Sequence, residues 1–296
     1  MKDALYLPAR AKLNLFLRIV GRRADGYHLL ETLFHAIELH DDLTVASARS
    51  GIELRVTADE GLAVPTGPDN LVVKALGNLA EAAGHAGGFA ARLHKRIPSG
   101  AGLGGGSSDA AAALRLGNEL LQHPLDGPQL ARLAVGLGAD VPFFLRSGSQ
   151  WGSGIGDVLS PAEVEPQHFV LLIPPFGCPT ADVYKNYSAL WKCSSRQDKV
   201  PVAVPDTRDT KVAVRLGNDL ERAAELVQPA LAGLRRQVVE SGYPDVRMTG
   251  SGSALFVVCA DEVAARRCEQ TLAALPAAGV RIVRTRSAGA LDSPSR

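Results

Sequence analysis

The feature that most restricts this chain is the stretch RIPSGAGLGGGSSDAAAAL, Arg96 to Leu114. Five of the seven residues from Gly100 to Gly106 are glycine, and an alanine run follows just past Ser107 and Ser108. Glycine is a poor interior residue for a helix and alanine the best. One glycine would suffice to cap a helix, so the excess needs another reason. Glycines let successive backbone N–H groups converge with no Cβ between them, which forms an anion nest. A helix beginning near Ser107 to Asp109 aims the positive end of its dipole at the same point. The hydroxyls of Ser107 and Ser108 can hydrogen-bond a phosphate or ligate magnesium. The loop reads as a polyphosphate cradle.

Two familiar cradles fit poorly. A Walker A loop needs Gly-Lys-Ser/Thr, and no lysine stands before Ser107. A G-x-G-x-x-G string does occur at Gly100, Gly102 and Gly105. A dinucleotide fold also wants an acidic residue at the end of a following strand. Here a second helical pattern, PQLARLAVGLG, comes next, and the dehydrogenase reading loses on that context.

The 296 residues suit one large domain or two moderate ones. The net charge of +1 excludes the broad basic surface of a nucleic-acid or membrane binder. Cys178, Cys193, Cys259 and Cys268 show no C-x-x-C spacing, and the seven histidines are scattered, so structural zinc is not expected. The apolar stretch from Leu13 to Val20 is short and broken by Asn14 and Arg18, unlike a signal peptide. No window reaches membrane-spanning length. The expectation is a soluble cytoplasmic protein, monomer or homodimer.

Strand and helix signals mix along the whole chain. Leu13, Leu15, Leu17 and Ile19 alternate with Lys12, Asn14, Phe16 and Arg18 at period two, which predicts a strand. DNLVVKALGNLAEAAG reads as a helix that Asp69 or Asn70 can cap. PQLARLAVGLG predicts a helix stopped at Gly138. FVLLIPPF, from Phe169, is a continuous apolar strand of the fully buried kind. The polar, proline-dotted stretch KCSSRQDKVPVAVPDTRDTK reads as a mobile insertion, and the tail ALDSPSR as disordered. The pattern predicts an α+β protein of two lobes, residues 1–160 and 161–296, dividing near Gln150 to Gln167.

Other residues could carry chemistry. Asp140, in GLGADVPFFL, fits a buried helix-terminus hydrogen-bonder and a functional carboxylate equally well. Lys12 is an ordinary strand-face lysine unless its face meets the glycine loop. In ADGYH, Tyr27 could stack on a heterocycle while His28 hydrogen-bonds its edge; the plainer alternative is a loop histidine with an internal partner. TGSGSALF, Thr249 to Phe256, is either a hairpin turn or a second set of backbone donors near the phosphates.

PSGAGLGGGSSDAA resembles the nucleotide loop of the GHMP small-molecule kinases, and TGSGSALF resembles their C-terminal glycine motif. The run AKLNLFLRIVGRRADGYHLLETLF, with LGADVPFFL and PTADVYK, is similar to the branch that phosphorylates a cytidine-diphosphate-linked polyol for non-mevalonate isoprenoid synthesis. The resemblance covers most of the chain and is weakest from Lys185 to Arg215 and in the last dozen residues. It implies a two-lobed GHMP kinase fold, with a ribosomal-protein-S5-like N-terminal lobe and a ferredoxin-like C-terminal lobe. It implies ATP and Mg2+, with Asp140 as catalytic aspartate and Lys12 as its partner. Asn14, Tyr27, His28, Thr180 and Tyr184 would bind the substrate, with Lys185 nearby. Pro98, Ser99, Gly100, Ala101, Gly102, Leu103, Gly104, Gly105, Gly106, Ser107 and Ser108 would form the ATP loop, with Lys95 at its entrance and Ser108 on the metal. Three departures stand out: Arg10 in place of a proline, Asp109 in place of an asparagine, and the altered stretch WGSGIGD, Trp151 to Asp157. Asp109 would bring a negative charge near the phosphates, and Trp151 would reshape the substrate wall. The rivals are a kinase for another small alcohol, such as homoserine or mevalonate, a ligand sensor that lost its chemistry, and, more remotely, a nicotinamide oxidoreductase.

Overall fold

A computed structural model describes residues 3–59, 66–146, 148–193, 216–289 and 291–295. Its spine is a long antiparallel hairpin of β1 (Leu5–Arg22) and β2 (His28–Ala48). Three register shifts, between Arg10 and Lys12, Asn14 and Phe16, and Ile19 and Gly21, bend β1 along its length. Its alternate residues therefore serve three cores in turn. Leu7 and Ala9 pack with the N-terminal helices, Ala11, Leu13 and Leu15 with a central cluster, and Leu17 and Ile19 with the C-terminal helices. Between Ala11 and Leu15 both faces are buried, so Lys12 and Asn14 are covered too.

Strands β3 (Ile52–Ala58) and β4 (Gly88–Lys95) extend the sheet beyond the C-terminal part of β2, and β5 (Ser149–Ser153), followed by β6 (Val158–Ala162), pairs with the N-terminal part of β2 at Thr32–His35. Helices α1 (Leu71–Ala82), α2 (Gly105–Leu120) and α3 (Gly127–Leu137) cover this sheet. Asn70 caps α1, accepting from Val72 N at 2.8 Å. Gly138 ends α3, as expected. Helix α2 starts at Gly105, two residues earlier than expected, because Gly104 turns the chain at φ +73° and its carbonyl accepts from Ser108 N.

The second sheet has the order β11–β7–β10–β9, built from β7 (His168–Ile173), β9 (Arg247–Met248), β10 (Leu255–Cys259) and β11 (Arg281–Arg286). Helices α4 (Thr180–Cys193), α5 (Glu221–Val227), α6 (Pro229–Glu240) and α7 (Glu262–Ala273) cover one face. Phe169, Leu171 and Phe256 on the other face join Leu13 and Leu15 of β1. Burial on both faces explains why FVLLI reads as one apolar run.

Three expectations need correction or placing. The division at 160/161 falls inside β6, so the break between sheets lies at the link from β6 to β7, and β8 (Gly217–Asn218) returns to pair in parallel with β1. Residues 291–295 of the tail are tied down. Arg10 makes a two-pronged ion pair with Asp292, Arg115 donates to the Asp292 carbonyl, and Ser295 pairs with Tyr6. Apart from Cys193, which ends α4, and its preceding lysine, the stretch expected to be a mobile insertion lies outside the described residues.

Candidate active site

A cleft of about 1250 Å³ runs between the lobes. Gly100, Gly102, Gly104 and Ser107 line one end, Lys12 and Asp140 the middle, and Tyr27, His28 and Tyr184 the other end. The glycine loop keeps its shape by backbone contact. Gly102 has φ +78°, and a Cβ there would collide with the Thr249 carbonyl oxygen. Ala254 N donates to Ala101 O at 3.0 Å, and Lys12 N to Leu103 O at 3.0 Å. Ala101 and Leu103 bury their side chains, which leaves the glycine backbone facing the cleft. The second glycine motif is both a turn and part of the site. Gly252 N donates to Thr249 O at 3.0 Å, while Gly250 and Ser251 line the cleft. Asn218 holds this motif, its Nδ2 donating to the carbonyls of Met248 and Gly250.

Lys12 and Asp140 come together, with Lys12 Nζ 3.4 Å from Asp140 Oδ2. The lysine side chain is 4% exposed and the carboxylate 34%, so the acid opens to the cleft while the ammonium lies behind it. Asp140 stands just before the short helical turn Val141–Leu145, whose Phe143 carbonyl accepts from the buried Gln150 Nε2 at 2.9 Å. Lys12 Nζ also donates to Asn14 Oδ1 at 2.6 Å and lies 5.6 Å from the centre of the Phe34 ring.

At the far end His28 packs on Tyr184, ring centres 5.1 Å apart, and its Nε2 pairs with Ser188 Oγ at 2.9 Å. Burial and the Arg22 charge lower the His28 pKa. Burial and the negative charge of Asp140 push Tyr184 up to about 12. Tyr27 is 63% exposed at the rim. Thr180 Oγ1 pairs with Ser251 Oγ at 2.9 Å where α4 begins.

The side chains of Lys95, Asp109, Ser108 and Trp151 point elsewhere than the resemblance implies. Lys95 does not reach the cleft. Its ammonium is 2% exposed, clamped between Asp41 and Asp109, the latter at 2.6 Å. Asp109 turns inward to this lysine rather than toward any phosphate, and burial raises its carboxyl to about 7 against the opposing pull of Lys95. Ser108 is buried and lines a small cavity with Arg10 and Arg115, whereas Ser107 lines the cleft. Trp151 packs edge-on against Phe16, and Ile155 and Gly156 line the wall instead. Pro98 and Ser99 lead into the loop, and Gly105 and Gly106 form the first turn of α2.

Several site residues were not foreseen. Thr32 and Asn218 read as ordinary strand or turn residues, and Thr249 opens the second glycine motif with no role given to its hydroxyl, which accepts from Asn14 N at 3.0 Å. Asp41 was open to a cue, an acid inside the strand pattern IELHDDLTV, but its partner Lys95 is 54 positions away.

Two lobes, a glycine loop of the first lobe facing the cleft and a lysine–aspartate pair beside it are the features of a small-molecule kinase of the GHMP class. The family models for the GHMP kinases N terminal domain and the GHMP kinases C terminal match residues 70–148 and 206–277. The chain belongs to the family of 4-diphosphocytidyl-2-C-methyl-D-erythritol kinases. It is 40% identical over 281 residues to the protein of that name from Moorella thermoacetica, covering 91% of this chain and 95% of that one. It is 39% identical to the one from Xanthomonas oryzae pv. oryzae, covering 91% and 86%. A solved structure of 4-(cytidine 5'-diphospho)-2C-methyl-D-erythritol kinase superposes with a TM-score of 0.78 at 35% identity, covering 96% of this chain and all of that one. A homoserine kinase from Cytophaga hutchinsonii, at 16% identity and a TM-score of 0.66, shares the fold alone.

Proposed function

We propose that the chain transfers the γ-phosphoryl group of ATP to the 2-hydroxyl of 4-diphosphocytidyl-2-C-methyl-D-erythritol. One observation carries this reading: the Lys12–Asp140 pair sits midway along a single cleft, between the glycine loop and the His28–Tyr184 rings. Phosphoryl transfer asks the protein mainly for positioning and charge stabilisation. The backbone amides from Gly100 to Gly104 and the N-terminus of α2 suit the phosphates of the donor. Asp140 accepts or orients the hydroxyl proton of the acceptor. Lys12 steadies negative charge that develops between donor and acceptor. His28 and Tyr184, with Tyr27 at the rim, suit the cytosine end, where a flat heterocycle needs a stacking face and an edge partner.

Magnesium is part of the same proposal. No group of three or more His, Cys, Asp or Glu among the described residues could hold a metal ion. A magnesium ion carried by a nucleotide is bound mainly by phosphates and water and needs only one or two protein oxygens. Ser107 and Asp140, which line the cleft, are the oxygens to hold it. When bound, the ion neutralises phosphate charge.

The test is ADP release by the purified protein with ATP, magnesium and either the cytidine-linked substrate or its cytidine-free analogue. Release only with the linked substrate is expected. Equal release with both would make the chain a general alcohol kinase, and none with either would make it a sensor.

A further inference from the structure

Lys12 donates to Asn14, so the amide must turn its Oδ1, not its Nδ2, toward the ammonium. The far end of that amide is held by a residue to which the sequence motifs gave no role. Asn14 Nδ2 donates to Thr32 Oγ1 at 2.7 Å, and the Thr32 hydroxyl donates to Phe16 O at 2.7 Å. A hydroxyl has one proton to give. Thr32 gives it to the carbonyl, so toward Asn14 it can only accept. The chain Phe16 O, Thr32, Asn14, Lys12 thus runs in one direction, and only one orientation of the amide satisfies it. Thr32 is fully buried, which removes bulk water as a substitute partner. The Asn14 backbone is held separately, its N–H donating to Thr249 Oγ1 at 3.0 Å. Loss of the Thr32 hydroxyl would therefore free the amide without unseating the strand.

We propose that Thr32 is a positioning residue for phosphoryl transfer: through Asn14 it fixes the Lys12 ammonium against Asp140. The inference rests on the phosphoryl-transfer reading above. The Thr32 hydroxyl bonds to Asn14 and Phe16 and acts through the orientation of one amide. Two ordered hydrogen bonds place the ammonium, and the ion pair it makes at 3.4 Å is looser than either.

The experiment is steady-state kinetics on Thr32→Val, which keeps the branched shape and removes the hydroxyl, beside Thr32→Ser, which restores it. Rates are taken per nucleotide-binding site, well below the melting temperature. For Val, kcat should fall about tenfold, the worth of one buried hydrogen bond. KM for both substrates should stay within about twofold. Ser should recover most of kcat. A merely structural threonine would lower the melting temperature and leave kcat per site unchanged, and that result overturns the inference alone, as does failure of Ser to recover. If the valine variant does not fold, Thr32→Ala, which adds no bulk, carries the same comparison. A wild-type protein that releases no ADP overturns the phosphoryl-transfer reading, and the inference with it.

Discussion

Two buried lysines flank the glycine loop, and they differ in what faces them. Lys12, on β1, meets one carboxylate that opens to the cleft and one neutral amide. Lys95, at the end of β4, meets two carboxylates that are as buried as itself. A charge pair with one member in contact with solvent is free to exchange that contact for a ligand. A pair with no solvent contact can only hold the structure together. Asp41 shows the second role plainly, since it also accepts from the backbone N–H groups of Arg96 and Ile97 where the chain enters the loop. Lys95 and its partners form a floor beneath the loop; Lys12 and Asp140 form the working edge above it.

The largest expected effect tests the working edge. Asp140→Ala should lower kcat by roughly two to four orders of magnitude in the ADP-release assay. Lys12 keeps the Asn14 oxygen, so the fold and nucleotide affinity should survive. An unfolded or nucleotide-blind variant would mean that both pairs are structural and would erase the contrast. The floor comes next. Lys95→Met leaves two buried carboxylates facing each other, and denaturant unfolding should show a loss of about 3–5 kcal/mol. Wild-type stability with a collapsed kcat would move Lys95 to the working edge.

A pH series sharpens the floor further. The folded state holds the Asp109 proton up to about 7, whereas the unfolded chain releases it at the ordinary carboxylate value. Between those values the folded state binds more protons, so raising the pH weakens folding. Buried His35, lowered to about 4, acts in the opposite sense: the unfolded chain binds its proton first, and raising the pH strengthens folding. The informative quantity is therefore the difference between variant and wild type. The melting temperature of Asp109→Asn minus that of the wild type should rise from about pH 5 to about pH 8. A flat difference would show that Asp109 stays charged throughout. The smallest effect belongs to a half-buried pair near the surface. Asp292→Ala removes the Arg10 contact at the tail and should cost about 0.2–1 kcal/mol by thermal unfolding, with kcat unchanged.

Much of the site was legible in the chain. Five glycines in seven residues before an alanine run announce a backbone nest whatever surrounds them, because the conformational freedom of glycine is local. The strand period placed Lys12 and Asn14 on one face. The resemblance singled out Asp140 and His28, which lie in the same cleft. The errors share a cause. Lys95, Ser108, Asp109 and Trp151 were placed by nearness to a motif, but one step turns a side chain to the opposite face of a strand and by about 100° around a helix. Ser107 and Ser108 show this most simply, one toward the cleft and one behind it.

What the sequence determined by itself was local: an anion nest at a helix start, a strand with two faces, and caps and breaks such as Asn70 and Gly138. What only the tertiary structure decided was which charges keep water and which lose it. Lys12 and Lys95 are the same residue in similar strands, and their difference arises from segments up to 128 positions away, Asp140 for one and Asp41 and Asp109 for the other. Burial is a property of how distant elements pack, and it is burial that turns one ion pair into a scaffold and leaves the other available for chemistry.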